Sequence, residues 1–404
     1  MKYCFLLISS LILVNCTAHA QQNKIIPGAE RMEEFIPLLK EKRVGVFANQ
    51  TSMVGNIHLI DALLKQGIQV IKIFSPEHGF RGTANAGESV KSGKDPKTGL
   101  PIISLYGNHK RPTEQELADI DVLVFDIQDV GVRFYTYISS LEEIMEAAFI
   151  YNKPLMLLDR PNPNGFYIDG PVLEKSYRSF VGYQSVPVVY GMTIAEYALM
   201  IAGEGWLSPQ ANKNYTYYLK SKPTKETPFH FQVIKCLNYD HSMRYNLPVN
   251  PSPNLPDMQA IYWYPTTCLF EGTILSEGRG TPKPFQWIGH PRLPKTLFSF
   301  SPKPNAGAKS SKHYNQSCYG WDLSNINPGN QLNLQYLLDA YQLFPGKDSF
   351  FLKNNFFNKL AGNATLMQQI KNGLTEKEIR NSWTTDLDHF KILRKKYLLY
   401  KDFD

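Results

Sequence analysis

The stretch "DVLVFDIQDVGVRFYTYISSLEEIMEAAFIYNKPLMLLD", Asp121 to Asp159, decides the fold. It opens on an uninterrupted apolar run, "DVLVFDI", of the kind that forms a strand buried on both faces. A polar loop follows. "YISSLEEIMEAAFIYN" then carries helical spacing and an asparagine stop, and "PLMLLD" is a second buried run. A strand, a helix and a strand in this order make one βαβ unit of a parallel sheet.

The same alternation extends upstream. "VGVFA", "IQVIKIF" and "IISLY" are further apolar runs, separated by the helical segments "NIHLIDALLKQG" and "TEQELADI". The pattern predicts an α/β fold, a Rossmann-like, doubly wound parallel sheet. "VPVVYGMTIAEYALMIAGE" reads as one more strand and a helix, the latter capped by Thr193 with Glu196 three residues on. Past the proline-rich "NLPVNPSPNLPDM" the alternation stops. The chain is therefore divided near residue 254 into an α/β domain over 21–254 and a smaller α+β C-terminal domain over 255–404. The latter ends in the helical segments "LNLQYLLDAYQLF", "NATLMQQIKNG" and "DLDHFKILRKKYLLY".

Residues 1–20 have a lysine, an apolar stretch and Ala18-His19-Ala20, the signature of a secretory signal. This predicts export to the periplasm. A second reading makes Cys16 a lipid-bearing residue, although Asn15 before it is a poor fit. No later run reaches the ~18 apolar residues of a membrane-spanning helix. Beyond the leader, Cys236, Cys268 and Cys318 form no C-x-x-C pair, which leaves room for one bridge and one free thiol. The net charge of +7 is dispersed rather than clustered, against nucleic-acid binding. Oligomeric state is not legible.

In doubly wound sheets ligands sit beyond the carboxyl ends of the strands. The residues there are polar and aromatic: Asn49, Gln50, Thr51 and Ser52; Glu77, His78 and Arg81; Tyr106 and Asn108; Asp126, Gln128, Asp129, Arg133, Tyr135 and Tyr137; Asp159, Arg160, Asn162 and Asn164. The chain has no G-x-S-x-G, S-x-x-K, H-E-x-x-H or G-x-G-x-x-G motif, which argues against serine hydrolases, zincins and dinucleotide enzymes. Neither a metal nor a cofactor is predicted.

Carboxylates with amide and aromatic company suit glycoside cleavage, which needs one acid to protonate the leaving oxygen and a second assisting group. Glu77 is the acid candidate, because a carboxyl at the mouth of a buried strand is shielded from water. His78 would orient it. A bland reading of "PEHG" is a turn in which Glu77 caps the next segment. The second carboxylate is open among Asp126, Glu88, Glu271 and Glu277. Asp126 reads equally as a structural partner of Arg133, Glu88 as a solvated loop acid, and Glu271, Glu277 and Arg279 as a salt-bridged turn. Arg81, Arg133 and Arg279 suit a substrate carboxylate. Asn49, Gln50, Gln128 and Asn162 supply amides, and Tyr135, Tyr137 and Trp287 supply faces for a sugar ring.

Eight ordered motifs resemble a known family: "GVFANQTSMVG", "FSPEHGFRG", "DVLVFDIQDVGVRFYTYISSL", "LDRPNPNG", "DGPVLE", "VYGMTIAEYA", "NLPDM" and "LFEGTILSEGRGTPKPFQWIGHP". They are similar to those of bacterial exo-β-N-acetylmuramidases, formerly the domain of unknown function 1343. The resemblance implies a cleft between a Rossmann-like domain and a smaller one. It also implies removal of N-acetylmuramic acid from the non-reducing end of peptidoglycan fragments, without metal or nucleotide. It places the family's Glu-His-Gly on Glu77, His78 and Gly79, with Glu77 catalytic. Two other readings stay open, a non-catalytic muropeptide-binding protein and another cell-wall hydrolase such as an amidase or esterase.

Overall fold

The computed structural model describes residues 24–77, 79–80, 92–224, 226–305 and 307–403. The expectations for the leader, Cys16, His78, Arg81 and Glu88 fall outside these residues.

Six parallel strands form the sheet: β1 (Arg43–Ala48), β2 (Gln69–Ser75), β3 (Pro101–Ser104), β4 (Val122–Asp126), β5 (Leu155–Leu158) and β6 (Phe231–Ile234). Their order across the sheet is β3-β2-β1-β4-β5-β6, and the two-residue strand Gly93–Lys94 adds antiparallel to β3 at one edge. The chain thus winds outward twice from β1, and the strand order reverses between β1 and β4. That reversal opens a crevice at the carboxyl ends of the central strands.

Alternate residues of each strand serve opposite layers. Phe47, Phe74, Leu123, Phe125, Leu155 and Leu157 pack into one core, with Phe47 and Phe125 stacked at 4.9 Å. That layer holds α4 (Tyr137–Ile150), α5 (Ile194–Gly203) and α6 (Pro209–Lys220), whose positions follow α1 (Met32–Leu39), α2 (Leu59–Lys65) and α3 (Glu114–Leu117) in the chain. Val44, Val46, Val70, Ile73, Val122, Val124, Met156 and Leu158 face the other core, together with Phe35, Ile36 and Leu39 of α1 and Leu59, Ile60 and Leu63 of α2. Burial on both faces is why these strands read as continuous apolar runs.

The capping box expected for α5 is present, with Thr193 accepting from the Glu196 amide and Glu196 accepting from the Thr193 amide. "VPVVY", however, is not a sheet strand. Val189 forms only isolated bridges to Val132 and Asp169. The sixth strand is instead "FQVI", a short, half-exposed edge segment.

The C-terminal part opens with α7 (Met258–Thr267), which bears Asp257 as its cap. A small antiparallel sheet follows, β7 (Trp287–His290), β8 (Phe298–Phe300) and β9 (Cys318–Asp322), in the order β7-β9-β8. Helices α8 (Gln335–Leu343), α9 (Phe356–Ala361), α10 (Thr365–Lys371) and α11 (Glu376–Lys395) complete it. The last helix starts ahead of the segment read from sequence, because Thr375 and Glu378 form a capping box there. Cys236, Cys268 and Cys318 are all buried and unbridged. Among the described residues no helix is long and apolar enough to cross a membrane.

Residues beyond α11 return to the first sheet. The Leu399 amide donates to Glu196 Oε1 (2.7 Å), and the Tyr400 hydroxyl donates to Asp159 Oδ2 (2.5 Å) while accepting from the Cys236 amide (2.8 Å). Arg394, itself buried, donates to the Gly191 carbonyl and pairs with Asp402. Burial pushes Asp159 up to about 7, a shift the Tyr400 hydroxyl opposes.

Candidate active site

The strand ends first make a rigid floor. Asn49, fully buried after β1, accepts from the Thr51 amide (2.9 Å) and hydroxyl (2.6 Å) and donates to the Tyr137 hydroxyl (2.8 Å). Tyr135 and Tyr137 meet edge to face at 4.8 Å. Both donate to the Pro251 carbonyl, at 2.9 and 3.2 Å, and Gln50 Nε2 donates to it at 3.1 Å. Three side chains that follow the strand ends thereby pin the proline-rich passage. Burial raises both tyrosines, so they act as neutral donors.

Above this floor lies a cleft of about 370 Å³. The volume is at the small end for ligand sites, suited to a compact group rather than a polymer. Glu77 enters from the end of β2 and Tyr106 from the end of β3. Gly79, two residues beyond Glu77, turns the chain with φ of 73°. The Tyr106 hydroxyl donates to Glu77 Oε1 at 3.0 Å. Phe134, Tyr135, Phe180, Tyr264, Phe285 and Phe356 give the walls an aromatic surface.

Glu271 and Arg279 enter from the C-terminal part. Arg279 Nη2 lies 2.6 Å from Glu271 Oε1, its Nε lies 3.4 Å from Glu277 Oε1, and the guanidinium sits 4.9 Å from the Phe285 ring centre. Glu277 is buried beneath them and pairs with Lys312 at 3.0 Å. Burial alone would raise the Glu277 carboxyl, but Lys312 and Arg279 together outweigh it and hold the group below the usual range. Burial likewise disfavours the Arg279 charge, and the two glutamates more than restore it. Gly278 has φ of 79°, and a Cβ there would approach the Trp287 carbonyl oxygen to 2.7 Å, so the tight turn between Glu277 and Arg279 requires glycine.

The structure brings Glu77, Tyr135, Tyr137, Glu271 and Arg279 together on the cleft lining and sets several other sequence candidates elsewhere. Asp126, wholly buried, pairs with Arg160 through two bonds of 2.6 and 2.8 Å, not with Arg133. Arg133 is also wholly buried. It donates to the carbonyls of Pro171 (2.8 Å), Val186 (2.7 Å) and Leu360 (2.8 Å), and burial lowers it to about 9. Its Nη1 and Nη2 groups are thus bonded to backbone carbonyls inside the fold rather than turned to a substrate carboxylate. Gln128 donates to the Asp129 and Pro161 carbonyls, and Asn162 to Met192. These residues fasten the strand-end loops to one another. Trp287 packs on Phe298 and Phe300, away from the lining. Tyr106 was named only as a strand-end residue, without a role. Phe134, Phe180, Tyr264, Phe285 and Phe356 were not candidates, and no strand-end signal pointed to them.

The cleft therefore offers two carboxylates, an arginine and aromatic walls. Among the described residues no group of three or more His, Cys, Asp or Glu is placed to hold a metal ion. Tyr106→Phe removes one hydrogen bond from Glu77. It is expected to lower kcat about tenfold with little change in KM, as steady-state kinetics would show; an unchanged kcat would mean that other contacts orient Glu77.

Residues 44–259 match the family model described as exo-β-N-acetylmuramidase NamZ, N-terminal, and residues 262–400 match its C-terminal counterpart. The chain is 38% identical to the peptidoglycan β-N-acetylmuramidase NamZ of Bacillus subtilis (strain 168), over 94% of this chain and 92% of that protein. Two crystal structures of DUF1343 family proteins from Bacteroides fragilis NCTC 9343 share the fold. One superposes with a TM-score of 0.83 at 44% identity, covering 94% of this chain and 99% of the other. The second has a TM-score of 0.78 at 29% identity, covering 93% and 99%.

Proposed function

From the premise that the chain belongs to the exo-β-N-acetylmuramidase NamZ family across both its parts, we propose that it releases N-acetylmuramic acid from the non-reducing end of peptidoglycan fragments by carboxylate catalysis. The observation that carries the reading is the pair of carboxylates, Glu77 and Glu271, facing one small aromatic-lined cleft from opposite parts of the chain. A cleft of that size favours a terminal sugar over an internal one.

Hydrolysis passes through an oxocarbenium-like transition state. Glu77 donates the proton that the leaving glycosidic oxygen needs, and Tyr106 fixes the carboxyl oxygen it touches. Glu271 is the second carboxylate, assisting the water or the developing positive charge. Arg279 serves the lactyl carboxylate that distinguishes muramic acid from glucosamine, and Arg81 is the second cation that the sequence offers for it. The aromatic walls take the apolar face of the ring and the acetamido methyl. A substrate of this kind lies outside the cytoplasm, and the leader expected at residues 1–20 supports delivery to the periplasm.

The test is parallel incubation of the purified chain with a chromogenic β-N-acetylmuramide and the matching β-N-acetylglucosaminide. The muramide is expected to be cleaved with a kcat/KM at least about 10²-fold higher, since a site built for a charged group is left unpaired by the analogue lacking it. Equal rates would remove the lactyl group as specificity handle. Binding of the muramide without turnover would make the cleft a muropeptide-binding site.

A further inference from the structure

Lys312 lies between β8 and β9 and reaches the short 3-10 helix Cys268–Gly272, which carries Glu271, and the turn after it. Five oxygen atoms surround its Nζ: the carbonyls of Phe270 (3.0 Å), Glu271 (3.4 Å), Thr273 (2.9 Å) and Leu275 (2.9 Å), and Glu277 Oε2 (3.0 Å). An ammonium has three N–H donors, fewer than the oxygens gathered around it. Charge, not hydrogen-bond count, is what holds so many carbonyl dipoles pointing inward. The next residue repeats the pattern, with His313 Nε2 2.6 Å from the Ile274 carbonyl. Carbonyls converging on one monovalent charge are the coordination that potassium takes in carbonyl-lined sites. Here the cation comes on a covalent stem.

Two routes lead from this cage to the cleft. One is the backbone, since four of the five oxygens belong to residues 270–275, which include Glu271. The other is a chain of ion pairs, from Lys312 to Glu277 at 3.0 Å, Glu277 to Arg279 at 3.4 Å, and Arg279 to Glu271 at 2.6 Å. We propose that Lys312 is a positioning residue, a tethered monovalent cation whose cage sets the Glu271 carboxylate and the Arg279 guanidinium in the cleft. The proposal rests on the reading of Glu271 and Arg279 as substrate-facing groups.

A lysine that merely filled space would be replaceable by methionine, whereas a cation would not. Lys312→Met and Lys312→Ala are both expected to lower kcat on the chromogenic muramide by about 10²-fold, the scale of a misplaced catalytic group, with KM changed less. The two variants then diverge. Truncation to alanine empties the path of a stem whose side chain is 27% exposed, so ammonium or potassium ions can enter the cage. At constant ionic strength, ammonium chloride is expected to restore at least about tenfold of the lost rate in Lys312→Ala, saturably. Tetramethylammonium, too large for the cage, restores none. Lys312→Met, with the path filled, recovers with neither salt.

Native turnover in Lys312→Met, or a folded Lys312→Ala indifferent to ammonium, would overturn the proposal. If Lys312→Ala is too unstable to assay, its melting temperature is the readout. Ammonium is then expected to raise it above the value in tetramethylammonium, and equal values overturn the cage. That arm does not depend on turnover, so a native chain inactive on the muramide would sink the functional reading while the cage is still tested.

Discussion

Glu77→Gln is expected to reduce kcat on a β-N-acetylmuramide by at least about 10³-fold while KM stays within a few-fold of the native value. The substitution keeps the volume of the side chain and an oxygen able to accept from the Tyr106 hydroxyl, which lies 3.0 Å from Glu77 Oε1. What it removes is the transferable proton. The aromatic walls and the Glu271–Arg279 pair are untouched, so ground-state binding survives and the loss falls on the chemical step. Folding should be unaffected, because Glu77 is only half-buried on a loop after β2. Steady-state kinetics together with a urea melt check both halves. Activity within tenfold of native would take the acid role away from Glu77 and pass it to Glu271.

Arg160→Met is the opposite kind of change, silent in the chemistry and severe in the fold. Arg160 and Asp126 are 2% and 0% exposed at the side chain and share bonds of 2.6 and 2.8 Å. Arg160 Nη2 also donates to the Met53 carbonyl at 3.0 Å. A methionine fills the space but leaves the Asp126 carboxylate buried without its cation. Removing one partner of such a pair costs about 3–5 kcal/mol. The urea midpoint should fall accordingly with an unchanged dependence on denaturant. A loss below about 1 kcal/mol would mean that Asp126 finds another partner or takes up a proton at little cost.

These two residues illustrate what the sequence could and could not disclose. The strand-end rule named Glu77, Asp126, Gln128, Arg133, Tyr137 and Asn162 alike, because it locates a rim without saying which way a side chain turns on it. Glu77 and Tyr137 turn into the cleft, while Asp126 and Arg133 turn into the protein and are satisfied there. A charged residue inside a fold leaves the same letter in the sequence as one facing substrate. Strands β1, β2, β4 and β5 were legible because burial writes a continuous apolar run, and the half-exposed β3 because its Ile102 and Ile103 stand in "IISLY". Strand β6 was not, since four residues at a half-exposed edge carry no such run, and "VPVVY" imitated one although Pro187 breaks its capacity for ladder bonds. The aromatic walls were illegible for another reason. Phe134, Tyr264, Phe285 and Phe356 are far apart in the chain, and a lone aromatic is ordinarily core.

The stitching of residues 399–402 into the first sheet has a consequence for the order of events in synthesis. Asp159 at the end of β5 and Glu196 in α5 receive partners from Tyr400 and Leu399, more than two hundred positions later. On the ribosome, strands β1 to β6 emerge long before those partners exist. The sheet can collapse early with Asp159 held by the Ala195 amide and Glu196 by the Thr193 amide and His241, but each lacks one further donor until residues 399 and 400 arrive. The first core therefore gains its last donors only when residues 399 and 400 dock, and a polypeptide interrupted before residue 399 is expected to be cleaved faster by protease than one that includes them.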